Sequence, residues 1–93
     1  MTDLLATYRW DRLSGQVYVG VAPDGIYETA EPKLWKRQHK FTDHGPGRES
    51  FRRGEIVLEP HDQQDWLVLR TVEGQWAWDG KRCFVLVKQL GEG

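Results

Sequence analysis

The residues that could do chemistry in this chain are few and scattered. A metal site draws on donors at short spacing, so that one segment fixes two ligands at once. His39, His44, His61 and Cys83 form neither a Cys-x-x-Cys nor a His-x-x-x-His pair. Cys83 could act as a nucleophile if a neighbouring base made it a thiolate. Its context, Cys83-Phe84-Val85-Leu86-Val87, is instead that of a strand in which a free thiol serves as a small hydrophobe. Asp62 and Asp65 lie in a polar turn, with no apolar pocket to tune either for acid–base work. The expectation is therefore a protein that is no enzyme and carries no metal, no cofactor and no small-molecule substrate.

The chemistry that remains is binding. Net charge is −1 over 93 residues, yet residues 33–53 hold seven basic residues against two acidic ones, so this segment carries +5 and the remainder −6. Lys33, Lys36, Arg37 and Lys40 are interleaved with Leu34, Trp35, His39 and Phe41, and Arg52 and Arg53 follow. Cations along a backbone with rings for stacking are what a single-stranded nucleic-acid groove uses. The same cations could dock on an acidic protein surface, or simply sit in water or pair with the acidic remainder while Trp35 and Phe41 enter the core. Five tryptophans form a second signal. Trp76 and Trp78 share a strand face and form either an aromatic protein-contact patch or part of the core.

Strands must position these groups. Leu4, Ala6, Tyr8 and Trp10 alternate with Leu5, Thr7, Arg9 and Asp11, the period of a half-buried strand. Asp11 to Gly15 reads as a turn. Val17, Val19 and Val21 then alternate with Gln16, Tyr18 and Gly20, with β-branched residues favouring a second strand. Ala22-Pro23-Asp24-Gly25 has Pro second and Gly fourth, as a type I turn with a bulge does, and Ile26 to Ala30 returns as the other arm of a hairpin. Residues 32–41 fit two patterns about equally, a short helix opened by Pro32 and a strand from Leu34 to Phe41. A helical turn is the expectation there, followed by a surface loop over 42–50.

Four further strands are expected at Gly54 to Glu59, Trp66 to Val72, Gln75 to Trp78 and Lys81 to Leu90. A type I′ turn on Asp79-Gly80 would pair Trp78 with Lys81 and Trp76 with Cys83. Lys81 would then lie across from the Trp78 ring, in reach of a cation–π contact. On this register Trp76, Trp78, Cys83, Val85 and Val87 face one way, and Ala77, Phe84, Leu86 and Leu90 the other. The last strand is apolar on both sides and is expected to be central.

Residues 51–90 carry Phe51-Arg52-Arg53-Gly54-Glu55-Ile56-Val57, then Asp65-Trp66-Leu67-Val68-Leu69-Arg70, then the run from Gly80 to Leu90. This order resembles SH3 domains, in which a Phe-x-x-Gly-Glu/Asp-Ile strand follows a long loop and a Trp opens the next strand. The Ala-Leu-Tyr-Asp-Tyr and Pro-Ser-Asn-Tyr segments that line the family's polyproline groove are missing, so the resemblance implies a fold and not proline-peptide binding. The expected architecture is all-β, a small SH3-like barrel or sandwich of six or seven antiparallel strands with one short helical turn.

A chain of this length makes one domain, 1–93, with one modest core. One cysteine allows no internal disulfide, and the first residues lack both a basic region and a long apolar run, so a reducing, cytoplasmic setting without a membrane span is expected. The absence of Asn and the excess of Arg over Lys match a GC-rich genome, bacterial or phage. The expected function is a small stand-alone module binding another protein, as an accessory factor or an inhibitor encoded by a phage or mobile element. The alternative is a nucleic-acid-binding small barrel using residues 33–53.

Overall fold

The computed structural model describes residues 3–13, 15–31, 33–41, 56–71 and 74–82. Among these residues seven strands run in chain order: β1 Ala6–Arg12, β2 Gly15–Ala22, β3 Gly25–Thr29, β4 Lys36–Lys40, β5 Val57–Pro60, β6 Leu67–Thr71 and β7 Gly74–Trp78. They form two antiparallel sheets, ordered β1-β2-β3-β4 and β5-β6-β7. The all-β class and the antiparallel pairing are as expected, and the arrangement is two sheets rather than a closed barrel.

One core joins them. Across β1, β2 and β3 the pairs Trp10↔Val17, Tyr8↔Val19, Ala6↔Val21 and Val21↔Ile26 place their side chains on one face. In the second sheet, Leu58↔Leu69, Leu69↔Trp76 and Leu67↔Trp78 do the same. Val19, Val21, Ile26, Leu67, Leu69 and Trp78 are fully buried where these faces meet. The Trp10 and Trp78 rings lie 5.6 Å apart at a 46° tilt, so two of the core's three tryptophans bind one sheet to the other.

Residues 36–40 are a strand, which corrects the expected helical turn. The Leu34 amide donates to the Glu31 carbonyl at 2.9 Å and closes one tight turn, after which β4 pairs with β3. A helix of one or two turns would leave most of its backbone groups without partners, and the exposed edge of β3 supplies them instead. The register shifts between Ile26 and Tyr27, where Ile26 pairs with His39 and Tyr27 with Arg37, so Gln38 is the extra residue of a bulge.

The β2–β3 turn has Pro23 and Asp24 at its centre, as expected, but Gly25 serves a different purpose. Its φ is not positive. A Cβ there would lie 2.1 Å from the backbone carbonyl oxygen of His39, so β4 can approach only a glycine.

The turn after β7 also departs from expectation. Asp79 N–H donates to the carbonyl of Arg82 at 3.3 Å, so Asp79 pairs with Arg82 and the two loop residues are Gly80 and Lys81. Gly80 has φ +100°, and no described non-glycine residue has positive φ. Asp79 therefore lacks the positive φ that a type I′ turn on Asp79-Gly80 requires, and glycine holds it at the first loop position. Lys81 is then a loop residue and does not lie opposite Trp78. The expected loop at 42–50, the basic residues Arg52 and Arg53, and the strand containing Cys83, Phe84, Val85, Leu86, Val87 and Leu90 lie outside the described residues.

Candidate functional site

The sequence candidates separate into two groups once their burial is known. Trp76 and Trp78 are 8% and 0% exposed, and their indole nitrogens are buried without a hydrogen-bond partner. They belong to the core and form no surface patch, so of the two readings of these rings it is the core one that holds. They face inward because their β6 partners, Leu69 and Leu67, both belong to the core. Trp35 is half-buried, and its Cζ3 lies 3.3 Å from where a Cβ on Gly20 would stand, with the Leu4 methyl groups 2.9 Å from the same point. The ring therefore packs on the side of the four-stranded sheet that faces away from the core, where residue 20 must remain small.

The cations behave differently. Lys33, in the turn before β4, and Lys36, Arg37 and Lys40 on it are all exposed. Arg37 is committed within the fold, since its Nη1 donates to Asp24 Oδ2 at 2.9 Å. The same oxygen accepts from the Tyr27 hydroxyl at 2.9 Å, which ties β4 to the β2–β3 turn. Among the described residues, Lys33, Lys36 and Lys40 make no ion pair and no side-chain hydrogen bond. Glu28, which sits opposite Lys36 in the register, is held by Arg12 at 2.6 Å. β4 and the turn before it thus present three exposed lysines without ion pairs among the described residues, Lys36 on the sheet face of Glu28 and Lys40, past the bulge, on the opposite face.

A cleft of about 480 Å³ opens beside these lysines. Val17, Ala30 and Leu34 supply its apolar lining, and Glu28, Glu31 and Lys36 its polar rim. Leu34 is 63% exposed, one of few large aliphatic side chains left so open among the described residues. The sequence did place Leu34 among the basic residues. Ala30 and Val17 join it only through the turn at 31–34 and the β2–β3–β4 pairing. Below them, the Thr29 hydroxyl donates to the Glu31 carbonyl and accepts from the Glu31 amide at 2.9 Å, which fixes where the chain leaves β3.

Two titratable groups are tuned by their surroundings. Burial lowers the His39 pKa below its ordinary 6.5, with the Asp79 carboxylate acting weakly the other way. The His39 Nε2 atom is buried without a partner, and its ring meets Phe41 edge-on at 6.0 Å. For Asp79, burial alone would raise the pKa. The amides of Lys81 and Arg82, at 2.9 and 3.1 Å from its Oδ1, and the Arg82 guanidinium outweigh burial and hold it below the usual carboxylate range. Asp79 is thereby spent on shaping its turn. Among the described residues no group of three His, Cys, Asp or Glu side chains converges as a metal site would, and no helix is long and apolar enough to cross a membrane. Compared with known protein families, curated proteins and solved structures, the chain shows no match in any of the three.

Proposed function

We propose that this protein is a small binding module that docks on an acidic surface of another protein through β4 and the turn before it. The observation that carries this reading is the set of three exposed lysines without ion pairs among the described residues, Lys33 in the turn before β4 and Lys36 and Lys40 on it, beside an arginine that is already neutralised. Exposed charges of one sign steer association and select partners more than they stabilise a fold. Action as an accessory factor or as an inhibitor of a larger assembly fits this size. The SH3-like reading of residues 51–90 stands on element order alone and brings no proline-peptide site with it.

Nucleic acid is the competing partner. It is disfavoured because the rings it would need for stacking are turned inward at Trp76 and Trp78 and packed against the sheet at Trp35. The test is capture of a binding partner from nuclease-treated extract by the wild-type protein and by the Lys33→Glu/Lys36→Glu/Lys40→Glu variant. A protein retained by the wild type and lost by the variant is expected. A partner retained equally by both, or one that disappears on nuclease treatment, would overturn the proposal.

A further inference from the structure

The cleft beside β4 is lined by Lys36 and by Leu34, the neighbour of Lys33, so charge and apolar surface meet there and each restricts what the other can hold. The aliphatic part of the cleft lining is Val17, Ala30 and Leu34. Leu34 leaves most of its surface in water although it stands between charged residues, next to a turn that Thr29 and the Leu34 amide hold in place. An aliphatic side chain from a partner would cover that surface and gain in proportion to the apolar area removed from water. A volume of about 480 Å³ admits such a side chain with room to spare.

The flanking charge sets the chemistry on either side of that anchor. Within the cleft, Glu28 is neutralised by Arg12 at 2.6 Å, which leaves Glu31 against Lys36 on the rim. Lys33 and Lys40 lie beyond it on either side in sequence, exposed and without counter-ions among the described residues. The bulge at Gln38 turns Lys36 and Lys40 to opposite faces of the sheet, Lys36 with Glu28 and Lys40 with Gly25, so Lys36 is the strand cation that borders the cleft. β4 is also the last strand of its sheet among the described residues, so an extended segment can lie parallel to its length.

We infer that the cleft between Leu34 and β4 receives one aliphatic side chain of an extended acidic peptide segment, whose carboxylates meet Lys33 and Lys36. This rests on the protein-docking reading above and names the partner's local chemistry, an aliphatic anchor flanked by Glu or Asp at alternate positions. A partner segment of that kind gains specificity from the anchor and association rate from the charge.

The probe is a capped peptide, Thr-Glu-Thr-Leu-Thr-Glu-Thr, with both Glu residues on the face of its Leu, titrated at low salt into the full-length protein uniformly labelled with nitrogen-15. Two companion peptides replace its Leu by Ala or every Glu by Lys. Binding of the first peptide with amide shift changes at Val17, Leu34 and Lys36 is expected, at least about tenfold weaker for the Ala peptide, since that swap forfeits most of the buried aliphatic surface. No binding of the Lys peptide is expected. Leu34→Asp, at a position open enough to leave folding intact, should remove the preference for Leu over Ala. Equal binding of the Leu and Ala peptides would overturn the cleft assignment while leaving the acidic-surface reading standing. No binding of any peptide up to millimolar concentration would also overturn the cleft assignment. The capture experiment with the triple lysine variant judges the broader reading separately.

Discussion

The guanidinium of Arg12 occupies the space that any side chain at Gly80 would have to enter: a Cβ there would lie 2.5 Å from Arg12 Nη2. Arg12 is itself fixed, bridged to Glu28 at 2.6 Å and stacked 5.0 Å over the Trp10 ring, so it cannot easily yield. Gly80 also holds φ +100°, which side-chain-bearing residues rarely adopt. Gly80→Val should therefore destabilise the protein by more than the roughly 1 to 3 kcal/mol of backbone strain alone. Urea denaturation of Gly80→Val with and without Arg12→Ala separates the two causes, because removing Arg12 should recover the steric part and leave the strain.

Gly25→Ala should be as damaging for a different reason. Its Cβ would collide with the His39 carbonyl at 2.1 Å, and a backbone atom cannot rotate away. A loss of about 2 kcal/mol or more is expected in chemical denaturation, in the range of overpacked core positions. The amide signals of residues 36–40 should move with it, since β4 is the element displaced. A neutral outcome would mean that β3 and β4 do not pair in this register.

Trp78→Ala should cost about 3 to 5 kcal/mol, as large cavities in a core do, while Leu34→Ala should change stability by no more than about 0.5 kcal/mol. Thermal or urea melts of the two variants measure the contrast directly. A small loss at Trp78 would place that ring on the surface and revive the aromatic contact patch.

Acid should weaken the fold through His39. Its folded pKa lies below the ordinary 6.5 because burial disfavours the imidazolium, so the unfolded chain binds the proton more readily. The stability owed to neutral His39 is complete above about pH 6.5 and is lost as pH falls from there toward the folded value. Asp79, lowered below its ordinary 3.8, adds a second loss only as pH falls through the carboxylate range. Stability measured against pH for the wild type and for His39→Gln should differ in slope just below 6.5. Parallel curves would show that Nε2 is not shielded as described.

Much of the fold was legible because alternation survives wherever one sheet face is buried. Val17, Val19 and Val21 and the Pro23-Asp24 turn each gave their element directly. β4 was not legible, because four of its five residues are exposed and its strand state comes from pairing with β3 rather than from its own pattern. The turn at Gly80 was misplaced by one residue. Asp-Gly fits either turn position in sequence, and the Asp79 side chain, bonded to the amides of Lys81 and Arg82, selects the later one. For the site, charge segregation pointed to the lysines. Sequence could not show that Asp24 neutralises Arg37, or that Trp76 and Trp78 face Leu67 and Leu69.

The central claim is that Lys33, Lys36 and Lys40 meet carboxylates and not phosphates. A gel-shift titration with single-stranded DNA and RNA at about 50 mM salt, where phosphate contacts are strong, tests it most directly. The account predicts no shift of either at micromolar protein. A shift that weakens linearly in log salt, with a shallower slope for Lys33→Glu/Lys36→Glu/Lys40→Glu, would contradict it.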